Sequence, residues 1–577
     1  MKFSLLRLTP LLALFACLSF AGRAAAQSNV LLIVADDMGV DQLSSYAEGA
    51  DPALTPNLDA LAASGVLFRN AWSCPSCSPT RSTIMTGRYG RRTGIGFIIN
   101  ADLSEYSLQD QEITLPEMLD AGTNNAWEHG FLGKWHLSNQ ATGGDNAPNL
   151  AGWGHFAGTP TNLRPPETYY NWRKVTNGAS QMVTDYATTT TVDDAISFIG
   201  GASGSWLCFV SFHAPHSPFH EPPAALHSVD LTGVTPRQNA QPFYKAMIEA
   251  MDAEIGRLLG SMTQQTLDDT MVIFVGDNGT PGLPVLPPFD PNRSKGRLYE
   301  GGINVPFIVS GAGVVSGGRE SAALVHTVDL FNTVADVAGV DLATTYPGVE
   351  FDGESLVPIL DDPAASFGRP YAYSERFAPN DASGPTTPAI CPQPGQEFCQ
   401  EDLGFQGPGT VELAMCGDEL YGGAFLPLTI TGARPNSIAY LLRSAVSTPV
   451  PIFGGMLAAF PPTTILPGLT DANGEITVII FAGTQPTESY FQVGVLDDTY
   501  PEGVAFSNCV RAETLTTHIR AVRNYRYKLI SNESNCQDQF YDLLVDPFEM
   551  VDLLSLGALS FDELSQYRSL KAQLETP

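Results

Sequence analysis

Three stretches of the chain are almost wholly apolar and of strand length. They are Asn29–Ala35, Trp206–Phe212 and Met271–Val275. Runs without polar alternation predict strands covered on both faces, as in sheets sandwiched between helices. Each run breaks into polar residues: Asp36-Asp37-Met38-Gly39, His213-Ala214-Pro215-His216 and Gly276-Asp277-Asn278-Gly279. Between them the period changes. Phe243, Met247, Met251, Ile255 and Leu258 recur at helical spacing and predict a core-facing helix. Thr55-Pro56-Asn57-Leu58-Asp59 reads as a helix start, with Thr55 as N-cap and Pro56 at the first position. Alternating strands and helices predict an α/β fold with a mostly parallel central sheet flanked by helices.

From about Cys391 to Cys509 helical periodicity gives way to short alternating runs: Leu426–Thr431, Ile438–Leu442, Glu475–Phe481 and Tyr490–Leu496. Asp471-Ala472-Asn473-Gly474 forms a turn before the third of them. This texture predicts an antiparallel β-sandwich. Ile519–Ile530 and Phe540–Leu554 then resume the earlier pattern, so the sandwich reads as an insertion. The expected division is a leader over 1–26, an α/β domain over 27–390, the sandwich over 391–510 and the return of the α/β domain over 511–577.

The leader carries Lys2 and Arg7, an apolar run from Leu11 to Phe20, and Ala24-Ala25-Ala26. That is the layout of a secretory signal peptide, and the run is too short for a good membrane span. A periplasmic or extracellular location is therefore expected. Lipoprotein anchoring at Cys17 is the alternative, disfavoured by Phe15 in the residues before it. No later segment is apolar for long enough to span a bilayer. The formal net charge is −31, which excludes an ordinary nucleic-acid binder. It also means that an anionic substrate must be drawn by a local cluster of cations. Of nine cysteines, Cys391 with Cys399 and Cys416 with Cys509 are the expected disulfide pairs, with Cys208 as a free thiol inside its strand.

The chemistry gathers just beyond the strands, where open α/β sheets bind ligands. Asp36, Asp37, Asp277 and Asn278 offer oxygen donors suited to a hard cation such as Ca²⁺ or Mg²⁺. Asp and Asn also end strands simply because they start turns; adjacent carboxylates at a buried strand end favour a counter-ion. Cys77-Ser78-Pro79-Thr80-Arg81 supplies a second cluster. Ser78 is the expected cap of a helix starting at Pro79, which places Cys77 at the positive end of the helix dipole. Arg81 lies about one turn further on.

These motifs occur in an order that resembles the type I, formylglycine-dependent sulfatases of the alkaline phosphatase superfamily. The likeness spans about 28–376 and 514–575. It takes in Asp36-Asp37-Met38-Gly39, Thr55–Asp59, Cys77–Arg81 with Thr86-Gly87-Arg88, and Gly133-Lys134-Trp135-His136-Leu137. It continues with Ala214-Pro215-His216, Gly276–Gly279, Lys295-Gly296, Tyr299–Gly302, Val305-Pro306, Arg520–Arg523, Tyr527–Leu529 and Tyr541–Leu543.

The resemblance implies an exported sulfuric ester hydrolase whose Cys77 is oxidised by a formylglycine-generating enzyme to formylglycine (3-oxoalanine), the hydrate of which is the nucleophile. It implies Ca²⁺, with Mg²⁺ possible, held by Asp36, Asp37, Asp277, Asn278 and the modified Cys77. Arg81 would position the hydrate, and Lys134 and Lys295 would bind the sulfate oxygens. His216 would serve the leaving oxygen, with His213 and His220 as competitors, and His136 would contact the formylglycine. The substrate is a sulfate ester, with a sulfated glycan among the options. The alternatives are a phosphate or phosphonate ester hydrolase of the same superfamily, or a non-catalytic carbohydrate- or surface-binding protein working through the sandwich. Thr80, the polar Thr123–His129 stretch and Asn304 depart from the family pattern, the last two as expected modifiers of the pocket rim.

Overall fold

In Asn29–Ala35 (β1) successive side chains enter different cores. Val30, Leu32 and Val34 pack with Phe131 and Phe209 on one side of the sheet. Leu31, Ile33 and Ala35 pack with Met247, Met251, Ile255 and Leu258 of the Gln241–Ser261 helix on the other. A strand with period-two side chains and both faces covered has no position for a polar residue, which is why the run is apolar. The computed structural model describes residues 29–100, 106–385, 400–415, 425–481, 487–513 and 516–575. The leader, Cys17, Cys391, Cys399 and Cys416 lie outside them.

β1 belongs to a ten-stranded sheet. Its other strands are Val66–Trp72 (β2), Trp127–Lys134 (β3), His155–Thr159 (β4), Trp172–Thr176 (β5), Ala179–Val183 (β6), Ser205–Ser211 (β7), Thr270–Gly276 (β8), Phe307–Gly311 (β9) and Arg319–His326 (β10). They lie in the order β10-β2-β9-β8-β1-β7-β3-β4-β5-β6. The central block β8-β1-β7-β3-β4 is parallel. β9 runs antiparallel to both β2 and β8, and β4-β5-β6 is an antiparallel meander. The sheet is thus mixed, with the expected parallel strands at its centre and in the β10-β2 pair; the antiparallel β9 and β5-β6 are not legible in the sequence because a short run carries no record of its direction. Register matters more for the site. Val34 faces Ser211, Ala35 faces Gly276 and Gly133 faces Ser211, so β1, β3, β7 and β8 end level and release their polar residues at one edge.

The Pro56–Ser64 helix begins where the sequence places it, but Thr55 makes no side-chain cap. Its free amides are bonded instead by Asp252, whose carboxylate accepts from Asn57 N at 3.1 Å and Leu58 N at 2.8 Å. The cap comes from the long helix packed beside it, so no local pattern could reveal it.

Ala372–Ala378 and Thr517–Arg523 are antiparallel neighbours in a separate four-stranded sheet completed by Tyr527–Asn532 and Gln537–Asp542. Between them in sequence, two antiparallel sheets share a core of Leu428, Ile430, Leu441, Phe491, Val493 and Val495. The Asp471 turn is built as expected, its carboxylate accepting from Asn473 N and Glu475 N. Cys208 is buried and free in β7. Cys509 is also a free, buried thiol, so the expected bond to Cys416 does not form; Cys509 is packed in a satellite core with Leu457 and Phe506. The disulfide-bonded Cys536 escaped the sequence pairing. Among the described residues no helix is long and apolar enough to cross a membrane.

A buried ion network joins the four-stranded sheet to the turn that follows Lys295. Lys528 Nζ lies 3.1 Å from Glu300 Oε1 and 2.8 Å from Glu549 Oε1, over the Trp72 ring, and Arg523 pairs with Glu300 Oε2. Burial, with the Glu300 charge added, raises the Glu549 carboxyl from 4.5 to about 7 despite Lys528. Between those values native Glu549 holds a proton that the unfolded chain has released, so this contribution to stability declines as pH rises from 4.5 to 7. Glu549→Gln should flatten that slope in urea unfolding at pH 5 and pH 7.5; an unchanged slope would show that Glu549 is ionised throughout.

Candidate active site and metal centre

Cys77 opens a helix, Cys77–Thr86, that is buried along its whole length. The helix starts two residues earlier than expected and its N-cap is Ser76, without a side-chain bond. Ser78 is no cap: its hydroxyl accepts from Ile99 N at 3.0 Å and ties the next loop over the helix end. Thr80 bonds both the amide and the carbonyl of Cys74 through its hydroxyl, fixing the turn before Cys77. A serine hydroxyl could make the same pair of bonds.

The level strand ends bring the carboxylates to this helix. Ligand atoms of Asp36, Asp37, Cys77 and Asp277 all lie within 4.8 Å of one another. Cys77 Sγ is 3.4 Å from Asp36 Oδ1 and 3.9 Å from Asp37 Oδ1. Asp37 N donates to Asp277 Oδ1 at 2.9 Å, which holds Asp37 at φ 72°, in the sparsely populated left-handed region. Asn278 Nδ2 donates to Asp37 Oδ1 and to Gly279 O, while its Oδ1 is buried without a partner. An orphaned carbonyl oxygen beside three buried carboxylates suits a hard cation, the oxygen donor set that Ca²⁺ or Mg²⁺ prefers.

Three cations ring the cluster. Lys134 Nζ, fully buried, lies 2.6 Å from Asp36 Oδ2. Lys295 Nζ lies 2.6 Å from Asp37 Oδ2. Arg81 donates from Nε and Nη2 to Asp277 Oδ2 at 3.1 and 2.9 Å, and from Nη1 to Lys134 O and Ser211 Oγ. Gly133 lets this happen: at φ 106°, a Cβ there would stand 1.9 Å from Ser211 O. Burial would push Asp37 up, but Lys295, His216 and Lys134 together hold its carboxyl well below the usual range. Burial and the Asp36 charge push Asp277 up to about 6 against Arg81. Burial likewise drives the Cys77 thiol far above its ordinary value, with Lys134 and Lys295 acting against it. As a thiol, Cys77 is therefore protonated and a poor nucleophile.

The histidines separate by their partners. His216 Nε2 faces Asp37 Oδ2 at 3.7 Å, with Nδ1 on Ser217 O; burial pushes it down to about 3 although Asp37 opposes this. His136 is buried at φ 59° with neither ring nitrogen bonded, and burial followed by the Lys134, Arg81 and Arg164 charges keeps it neutral. His213 is occupied by Thr159 Oγ1 at 2.6 Å, and His220 by Tyr186 OH and Pro218 O. Neither meets the carboxylates.

The structure thus brings Asp36, Asp37, Cys77, Arg81, Lys134, His216, Asp277, Asn278 and Lys295 together, with His136 two residues beyond Lys134, whereas His213 and His220 are held by other partners. Sequence reasoning missed the supports of this site. Ser211 Oγ donates to Lys134 O at 2.6 Å, Tyr244 OH donates to Asp37 O, and Tyr169 OH donates to the carbonyls of His213 and His216, both at 2.7 Å. Ser211 had a signal, a polar residue near the end of an apolar run. The expected rim modifiers lie elsewhere. Thr123–His129 leads into the start of β3, the end remote from Lys134. Asn304 is buried and donates to Arg69 O.

A mixed α/β sheet that sets a carboxylate cluster, a buried cysteine and three cations at its strand ends defines a hydrolase of anionic esters in the alkaline phosphatase superfamily. The family model described as Sulfatase matches residues 28–340, and the chain belongs to the sulfatase family. Its relatives include arylsulfatase G of Mus musculus, 28% identical over 396 residues, 59% of this chain and 70% of the relative. N-acetylgalactosamine-6-sulfatase of Canis lupus familiaris is 30% identical over 385 residues, with 59% of this chain and 68% of the relative covered. A structure of the same fold was solved with its substrate D-glucosamine-2-N,6-O-disulfate. It shares a TM-score of 0.55 and 16% identity over 95% of this chain and 97% of that one. The chain is a sulfuric ester hydrolase.

Proposed function

We propose that this sulfatase is an exported enzyme with formylglycine at position 77 and one divalent cation, Ca²⁺ in preference to Mg²⁺, and that it acts on a sulfated glycan. The observation that carries the reading is the meeting of Cys77 with Asp36, Asp37 and Asp277 inside one ring of cations. Formylglycine, installed by a generating enzyme during maturation, would supply the hydrated aldehyde that a thiol held protonated by burial cannot replace. Asp36, Asp37, Asp277 and the orphaned Asn278 Oδ1 would hold the cation, which would lower the charge opposing attack on an anionic ester.

The chain's own groups then have defined tasks. Lys134 and Lys295 would turn from the carboxylates to the sulfate oxygens once the cation neutralises Asp36 and Asp37, and would stabilise the charge growing there. Arg81, locked between Asp277, Ser211 and Lys134 O, would fix the nucleophile's position. His216, on the open side of Asp37 and neutral without substrate, would take up a proton as the anionic ester binds beside it and pass it to the leaving oxygen. His136, neutral and unbonded, would accept one from the group at position 77. The sugar preference follows the family's sulfated-sugar relatives, and export follows the basic and apolar leader.

Mass spectrometry of the peptide containing Cys77, from protein made in its native host, should show the aldehyde or its hydrate. An unmodified thiol in active protein would overturn the reading. Chelation of the metal should lower activity at least tenfold and Ca²⁺ should restore it. Ca²⁺ at a hundredfold excess over its Kd should add about 2.7 kcal/mol to stability. Full activity in metal-free protein would remove the cation from the proposal.

A further inference from the structure

One segment, residues 160–169, is tied at one end to His136 and at the other to His213 and His216. At one end His136 N donates to Pro160 O at 3.0 Å, and Thr159 Oγ1 bonds His213 Nε2 at 2.6 Å. At the other, Tyr169 OH donates to the carbonyls of His213 and His216. Between the pins Leu163 is buried, only 2% exposed, and Arg164 beside it is exposed. Four residues of chain reach at most about 14 Å, so the Arg164 backbone lies within that distance of Pro160, the partner of His136 N. Its charge is among those felt at His136.

Arg164 is unusual in this protein. In so acidic a chain nearly every cation is paired. Among the described residues only the side chains of Arg164, Arg237 and Arg568 make neither a hydrogen bond nor an ion pair. The cations of the pocket floor are committed: Lys134, Lys295 and Arg81 all face the cluster around Cys77. A second negative group on the substrate would find no free cation there, and the net charge of −31 would repel it. Arg164 is the uncommitted guanidinium beside the site, with the fork geometry that sulfate and carboxylate accept bidentately.

We propose that Arg164 determines specificity by binding a second anionic substituent, a sulfate or a carboxylate, on the leaving-group side of the substrate. The preferred substrate is then a polyanionic sulfated glycan rather than a singly charged ester. The inference rests on the sulfatase reading above, in which His216 marks the leaving-group side.

The test compares two sulfated disaccharides that differ only in a second anionic group. The unaltered enzyme should favour the doubly charged one in kcat/KM by about tenfold or more, as a charge-assisted bidentate contact would. Arg164→Ala should collapse that ratio towards one, chiefly through KM, and Arg164→Lys should recover part of it. No preference in the unaltered enzyme, or an equal loss on both sugars in Arg164→Ala, would overturn the proposal; the latter marks a merely structural residue. Calorimetric binding of the same two sugars to Cys77→Ala, with and without Arg164→Ala, keeps the two readings apart. If no sulfate ester is cleaved, the catalytic reading fails. A tenfold loss of affinity confined to the doubly charged sugar would still support Arg164, and unchanged affinity would overturn it.

Discussion

Cys77→Ala will abolish sulfate ester hydrolysis, lowering kcat by on the order of 10⁶, the scale seen when a catalytic nucleophile is removed. The fold should survive. Cys77 is fully buried at the first position of its helix, and its Sγ makes only sulfur contacts of 3.4 and 3.9 Å to Asp36 and Asp37. The helix itself is anchored by Thr80 on Cys74 and by Ser78 on Ile99 N. Alanine therefore removes chemistry and little else, and a thermal melt within a few degrees of the unaltered protein checks this. Cys77→Ser should be equally inactive where it cannot be oxidised to the aldehyde, since burial that raises the thiol leaves an alcohol still less acidic. Retention of more than a few per cent of the activity in Cys77→Ala would remove Cys77 from the reaction.

Lys134→Met should lower kcat by about 10²–10³, the loss expected when one donor to the developing charge is deleted. It should also destabilise the metal-free protein by about 3–5 kcal/mol, because Asp36 loses its buried counter-charge. Lys134 is 0% exposed, 2.6 Å from Asp36, and Arg81 Nη2 is the next cation at 3.8 Å. Methionine fills nearly the same volume, and the Lys134 carbonyl bonds to Arg81 and Ser211 are backbone features that persist. If Asp36 is a cation ligand, Ca²⁺ supplies the missing charge and the stability loss shrinks when it is added. Urea unfolding with and without Ca²⁺, alongside kcat, reads both effects. An equal loss in the two conditions would exclude Asp36 as a ligand, and a kcat within threefold of the unaltered enzyme would exclude Lys134 from the sulfate site.

The Glu300–Lys528–Glu549 network places a third demand on the chain. It fastens the turn after Lys295 to the four-stranded sheet. That sheet is made of two segments far apart in sequence, so the position of Lys295 depends on strands that form only when the chain returns after residue 516.

The sequence by itself determined the apolar strands, the long helix and the candidate residues of the site. A strand buried on both faces must be apolar throughout, and the polar residues that end it are conspicuous for that reason. Asn29–Ala35 is recovered residue for residue. Tertiary structure alone decided what depends on partners distant in the chain: the direction of β9, the cap supplied by Asp252 rather than Thr55, and the free state of Cys509. It also decided the remote position of Thr123–His129, since which end of a strand meets the site is fixed by register with its neighbours. Most of all it decided that Asp36, Cys77, Lys134, His216, Asp277 and Lys295 meet, because only the common register of β1, β3, β7 and β8 ends those strands at the same level.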